Sequence, residues 1–175
     1  KKSMKKILYT VCSANHLAHC KTMTNSFLKF HNDYEIIIGL TDRNDGRFDN
    51  TFFEPCSIIE AEQLDIPDFK EMANNYTVIE LNCAMKVFMA EYIFKSFNPD
   101  ILLYLDSDID VMHSLSEVEL ELADNDILIT PHFISPLPDS NLLPRERDIL
   151  RSGLYNAGFM AYRKSIVTEA FIKWW

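Results

Sequence analysis

The sequence predicts an α/β domain, a mostly parallel central sheet flanked by helices. Three observations predict it. Short apolar and β-branched runs recur (ILYTV, EIIIGL, ILLYL) and are too continuous for half-exposed strands, so both faces of each are expected to be buried. Stretches of helical length separate them, as parallel neighbours require. The run ILLYL leads straight into Asp106, Asp108 and Asp110, and open parallel sheets bind ligands beyond the carboxyl ends of their strands.

The elements follow in order. KKILYTVCS reads as a buried strand from about Lys6 to Cys12. A helix from about Asn15 or His16 to Phe30 comes next, placing Leu17, Cys20, Phe27 and Leu28 near one face. YEIIIGLTD is a second buried strand, from Tyr34 to about Leu40, and the turn formers of TDRNDGRFDN make the loop behind it. A brief strand near Ser57 to Ile59 and a helix from about Asp68 to Ala73 lead to a longer helix. Asn82 is its expected cap, Val87, Phe88 and Phe94 its core-facing residues, and Pro99 its stop beyond Phe97. Ile101 to Leu105, residues 127–130 and residues 154–162 supply further strands, and Ser165 caps a last helix that runs into FIKWW. Two tryptophans behind Phe171 and Ile172 are costly to leave in water, at about 1.5–3 kcal/mol for each such side chain. The expectation is a single domain over 1–175, C-terminally truncated and forming the N-terminal part of a longer protein, or a tail packed on something.

Composition narrows the function classes. Hydrophobic residues make up 47% of the 175, enough for a packed core, and 26 acidic against 17 basic residues give a net charge of -9. Such a field repels a phosphate backbone, so nucleic acid is not the expected partner. No stretch reads as a signal peptide or a transmembrane segment, while the lysines of KKSMKK leave room for peripheral contact with anionic lipid. Cys12, Cys20, Cys56 and Cys83 form no CxxC and have no histidine at zinc-finger spacing. They read as buried or neutral thiols of a reducing compartment, which points to the cytoplasm.

In an extended chain, side chains at i and i+2 share a face about 6.6–7 Å apart, so Asp106 and Asp108 can reach one cation. Oxygen ligands without neighbouring His or Cys favour Mg, Mn or Ca. An EF-hand loop starting at Asp106 fails on Val111, which stands where the sharp turn needs glycine, and on ILLYL, which replaces the entering helix. A glycosidase pair fails because carboxylates two residues apart do not flank opposite sides of one bond. The plain alternative, aspartates that only make turns, stays open for DxD alone. The four glycines form neither GxGxxG nor a P-loop, so a nucleotide diphosphate would need a metal to offset its charge.

Several segments in order, VIELNCAMKVFMAEYIF, ILLYLDSDIDV, ILITPHFISPLPD, LPRERDILRSGLYNAGFMAYRKS and FIKWW, resemble the metal-dependent nucleotide-sugar glycosyltransferases of the GT-A fold, close to bacterial members grouped with glycosyltransferase family 8. The resemblance spans most of the chain from Lys6 onward and is most specific between Glu80 and Tyr162. It implies that Asp106 and Asp108 are the DxD ligands of Mn²⁺ or Mg²⁺, with Ser107 beside the ribose. It implies a base and ribose cradle at Thr10, Val11, Cys12, Ser13 and Asn15, bordered by Asp42, although Ser13 stands where relatives of family 8 carry an aspartate. Lys86 matches a basic residue that reaches the donor sugar or phosphate, and His132 and Asn156 match positions of the sugar pocket. Read without the resemblance, Lys86 is a solvated helix residue, His132 bonds a neighbouring carbonyl, Asn156 makes a turn before Ala157 and Gly158, and Thr10 to Ser13 merely end a strand.

The implied activity is transfer of a sugar, with retention, from a nucleotide diphosphate, UDP for preference, to a hydroxyl of a carbohydrate or other acceptor. No catalytic base or nucleophile is assigned, because relatives carry an Asp-Gln segment and a metal-binding histidine beyond the FIKWW helix. Two other readings stay beside it. One is a sugar-phosphate nucleotidyltransferase, disfavoured by the absence of glycine from TVCSANH. The other is a non-catalytic module that binds a divalent cation or a sugar nucleotide.

Overall fold

A computed structural model describes residues 4–137 and 143–175. Lys1, Lys2, Pro138 and Asp139, named above in the lysine cluster and the resembling segments, lie outside the described residues. Within them run strands β1 (Lys6–Cys12), β2 (Glu35–Leu40), β3 (Ser57–Glu60), β4 (Ile101–Leu105), β5 (Ile127–Pro131) and β6 (Tyr155–Arg163). The helices are α1 (Leu17–Leu28), α2 (Phe69–Asn75), α3 (Val78–Phe97), α4 (Ser116–Glu121), α5 (Glu146–Ser152) and α6 (Ile166–Trp174). The six strands form one sheet in the order β3-β2-β1-β4-β6-β5. Pairs β1/β2, β2/β3 and β1/β4 are parallel, and β6 runs antiparallel to both β4 and β5. The mostly parallel α/β architecture is as the sequence predicts.

Both faces of the sheet are covered, which is why its central strands read as unbroken apolar runs. Alternate residues Leu8, Ile36, Ile38, Leu103 and Leu105 pack with Cys20, Met23 and Phe27 of α1. Their neighbours Ile7, Tyr9, Ile37, Leu102 and Tyr104 pack with Met85, Met89 and Ile93 of α3 and Ile172 of α6. The deep face of α3 is thus Met85, Met89 and Ile93, whereas Val87, Phe88 and Phe94, expected at its centre, pack at its margin. In so apolar a helix, periodicity does not choose between adjacent faces.

Helix α3 also starts earlier than expected. Thr77, not Asn82, is its cap: Thr77 Oγ1 accepts from the Glu80 N–H, and Glu80 Oε2 accepts from the Thr77 N–H at 2.8 Å. The Thr-x-x-Glu capping box in TVIE is the signal that marks this start. At the other end Asn98 takes a left-handed conformation, φ 51°, ahead of Pro99. Ser165 caps α6 as predicted, accepting from the Thr168 N–H. The short helices α4 and α5 were not anticipated, since each is too brief to show a period.

Cys12, Cys20 and Cys56, distant in sequence, are buried in the same cluster, while Cys83 is exposed; all four are free. Of the lysine cluster, Lys6 pairs with Asp33 and Glu119, and Lys5 with Glu35. Among the described residues no helix is long and apolar enough to cross a membrane.

Candidate functional site

The strand order sets the location. From β1 the chain winds outward to β2 and β3, and from β4 it winds the other way, so the crevice at a topological switch point opens between the carboxyl ends of β1 and β4. Cys12 and Leu105 are those ends, and Ser13 and Asp106 follow them.

Strand β4 stops at Leu105, and Asp106 to Ile109 form a turn closed by the Ile109 N–H on the Asp106 carbonyl at 3.3 Å. This corrects the expectation that strand alternation holds Asp106 and Asp108 on one face. A turn, not a pleat, presents them. Asp106 is half-buried, Ser107 is buried, and Asp108 and Asp110 are exposed.

Asp106 is held from three sides. Tyr104, two residues earlier on β4, donates its hydroxyl to Asp106 Oδ1 at 2.5 Å. Lys86, from the buried side of α3, donates to the same oxygen at 2.8 Å and to the Ala157 carbonyl at 3.1 Å. The Lys86 ammonium also lies 4.8 Å from the centre of the Tyr104 ring. Burial, and then the Asp106 charge, push the Tyr104 hydroxyl well above its ordinary pKa, so it remains a donor at neutral pH. Behind it, Tyr9 lies ring to ring with Tyr104 at 4.9 Å and donates to the Lys86 carbonyl at 3.2 Å.

The third side is an irregularity in β6. Ile129 pairs with Met160 but Thr130 pairs with Asn156, so Ala157, Gly158 and Phe159 fall between successive partners of β5. The freed backbone turns to the site: the Gly158 carbonyl accepts the Asp106 N–H at 2.9 Å. A Cβ on Gly158 would lie 2.9 Å from Asp106 Oδ2 and 2.8 Å from Asn156 Oδ1, closer than real Cβ atoms approach. Only glycine leaves this cradle open.

At the end of β1, Ser13 Oγ donates to Asn15 Oδ1 at 2.5 Å, and the Ala14 N–H donates to Asp42 Oδ2 at 2.5 Å. Asn82 of α3 joins them: its Oδ1 accepts from Thr41 Oγ1 at 2.7 Å, and its Nδ2 lies 3.5 Å from Ser13 Oγ. Asn82 and Lys86, one helical turn apart, thus connect the β1 end to the β4 end. Thr10, Val11, Cys12 and Ser13 are buried, Asn15 is exposed and Asp42 half-exposed, so Asn15 and Asp42 are the accessible side chains of this cradle. His132 is exposed and donates from Nδ1 to the Gly153 carbonyl at 2.8 Å, and Asn156 lies beside Asp106 across Gly158.

Asp106 Oδ2 and both oxygens of Asp108 make no hydrogen bond among the described residues, and no three His, Cys, Asp or Glu there group into a metal site. Open carboxylate oxygens are the type of donor that hard cations take. Sequence reasoning named both aspartates and Lys86, of which the structure brings Asp106 and Lys86 into contact. It missed Tyr104, Gly158, Thr41 and the role of Asn82, which only tertiary adjacency reveals; Tyr104 carried a faint signal as the one polar group inside the apolar run.

No protein-family model and no curated protein matches the chain in sequence. Solved structures do match in shape. A galactosyltransferase, LgtC, in complex with donor and acceptor sugar analogues, superposes with a TM-score of 0.60 at 16% identity, over 90% of this chain and 57% of that one. The bifunctional glycosyltransferase WbbM gives 0.62 at 15% identity, over 97% of this chain and 33% of that one. A CMP:2-keto-3-deoxy-manno-octonic acid synthetase complexed with CTP gives 0.50 at 13%, over 95% and 81%. The chain therefore spans little more than half of LgtC and a third of WbbM. At such identities the likeness establishes fold alone, and the fold is the GT-A type of the glycosyltransferases.

Proposed function

We propose that this chain is the nucleotide-sugar-binding part of a glycosyltransferase that moves a sugar from a nucleotide diphosphate, UDP for preference, to an acceptor hydroxyl. The observation that carries the reading is the setting of Asp106: at the switch point of a GT-A-type sheet, one oxygen held by Tyr104 and Lys86, the other open beside Gly158. Asp106 and Asp108 would hold Mn²⁺ or Mg²⁺. Such an ion, when bound, stabilises the negative charge that gathers on a departing diphosphate.

The protein's own groups do the rest. Asn15 and Asp42 bind and orient the nucleoside, with Ser107 beside its ribose. Lys86 keeps one N–H beyond its two bonds and adds positive charge next to the diphosphate. Asn156 offers its amide to a sugar hydroxyl. Retention of configuration, a cytoplasmic setting consistent with four free thiols, and a carbohydrate or other hydroxyl acceptor belong to the same proposal.

The nucleotidyltransferase reading has the synthetase likeness in its favour. Against it, the turn after β1 has no glycine and carries the Asp42 carboxylate on the Ala14 N–H, where a triphosphate would need an anion cradle. The test is Asp108→Ala. Asp108 is exposed, so the fold survives, and metal-supported UDP binding is expected to vanish; unchanged binding would overturn the proposal.

A further inference from the structure

We infer that Ser26 and His31 position the segment that carries the aspartates, and that the His31 bond couples nucleotide binding to pH: a neutral imidazole holds the segment and a charged one releases it. The coupling to binding rests on the nucleotide reading above. Residues 106–115 are anchored at two ends. At the first, Asp106 is fixed by Tyr104, Lys86 and the Gly158 carbonyl. At the second, two buried side chains accept the backbone: Ser26 Oγ of α1 takes the Val111 N–H at 2.9 Å, and His31 Nε2, just beyond α1, takes the Leu115 N–H at 2.8 Å. Exposed Asp108 makes no side-chain bond of its own among the described residues, so the backbone between these anchorages places it. Ser26 and His31 are accordingly positioning residues, acting through the chain that bears Asp108.

The imidazole is itself held in place. Its ring stacks on Phe27 at 4.7 Å between centroids and meets Tyr34 edge-on at 5.6 Å, and the His31 N–H returns to the Phe27 carbonyl at 3.0 Å. An imidazole that accepts through Nε2 carries its one hydrogen on Nδ1, so a second proton goes to Nε2. Two donors would then face each other, and the Leu115 N–H must leave. The charged groups around the ring are Glu119 of α4, Asp33 ahead of β2 and Lys6 of β1. Lys6 Nζ donates to Asp33 Oδ2 at 2.8 Å and to Glu119 Oε2 at 2.6 Å, and the Tyr34 hydroxyl donates to Glu119 Oε1 at 2.9 Å. Both carboxylates are thus engaged elsewhere. Burial, the largest influence, lowers the His31 pKa below 6.5, opposed by Glu119 and Asp33, with Lys6 adding to the lowering. The held form is the neutral one, so the hold is complete above pH 6.5 and lost as the pH falls through the lowered value.

The experiment pairs two readouts on the protein, His31→Gln and Ser26→Ala, each at about pH 7.5 and about pH 5. The first is amide hydrogen exchange at Leu115 and Val111, corrected for the intrinsic pH dependence, with no ligand present. Protection of the parent's Leu115 amide is expected to fall about tenfold between the two conditions. Glutamine offers an acceptor that does not titrate, so His31→Gln should hold its protection constant. Ser26→Ala should lower protection at Val111 equally at both. The second readout is UDP titration with Mn²⁺, where the parent is expected to lose about two- to tenfold more affinity on acidification than His31→Gln does. His16, His19, His113 and His132 are exposed and present in both proteins, so this difference isolates His31. A parent Leu115 amide equally protected at both pH values overturns the inference without recourse to any variant, as does a fall of the same size in His31→Gln. A pH-dependent Leu115 amide beside identical UDP profiles in the two proteins overturns the coupling while leaving nucleotide binding standing. A parent that binds no UDP at either pH overturns the nucleotide reading, and the coupling with it.

Discussion

Gly158→Ala is the sharpest perturbation the site allows. Its φ is not in the left-handed region, so alanine brings no backbone strain, and the new methyl group is the whole effect. That methyl would stand 2.9 Å from Asp106 Oδ2 and 2.8 Å from Asn156 Oδ1, whereas ordinary contact begins at 3.4 Å. Each oxygen must retreat by about half an ångström. Asp106 has nowhere to go without loosening its bonds to Tyr104 and Lys86, and Asn156 must stretch its bond to the Gly158 N–H. Losing one well-placed charged contact costs about 1.5–3 kcal/mol, which is about 10- to 150-fold in affinity. The variant is therefore expected to fold, with a thermal midpoint near that of the parent, and to lose about that factor in Mn²⁺-dependent UDP binding by calorimetry. A folded Gly158→Ala protein that binds UDP within about twofold of the parent would refute the role given to this cradle.

Two further predictions concern the frame. His31 is 4% exposed, and its Nε2 accepts the Leu115 N–H at 2.8 Å, tying α1 to the segment that follows the aspartates. Burial lowers its pKa below 6.5 despite the opposing charges of Glu119 and Asp33, with Lys6 adding to the lowering. The folded state thus binds fewer protons than the unfolded one, and stability is full above about pH 6.5 and falls as the pH drops toward the lowered value. Urea titrations between pH 7.5 and pH 5 should show this fall, and His31→Gln should flatten it; identical pH profiles would contradict the assignment. Thr77→Ala removes the capping box of α3 and should cost about 0.5–2 kcal/mol in the same assay. No measurable loss would place the start of α3 elsewhere.

The sheet was legible because burial on both faces writes strands as continuous apolar runs, and β1 and β4 sit at the residues those runs span. What one chain segment does not encode is where it meets another. The antiparallel course of β6 depends on which edge it joins, and nothing in YNAGFMAYR states that. The same limit hid Gly158 and Asn82: Asn82 meets Thr41 and Ser13, 41 and 69 positions away, and Gly158 meets Asp106 from another strand, as Lys86 meets Ala157 71 positions away. The offset at Asp106 to Asp108 has another cause. Alternation predicts a shared face only while the strand lasts, and β4 ends one residue before the first carboxylate. At α3 the information was present but ambiguous, because Val87, Phe88 and Phe94 are as apolar as Met85, Met89 and Ile93 that fill the core. His132 illustrates the opposite case, a residue whose plain reading, a bond to a nearby carbonyl, is what the fold provides.

The measurement that bears most directly on the account is titration of UDP into the protein with Mn²⁺ and again with EDTA. Binding with the ion and its loss on chelation is the predicted result, with Asp106 and Asp108 holding a cation against the diphosphate. UDP binding of equal strength in both titrations would contradict that account.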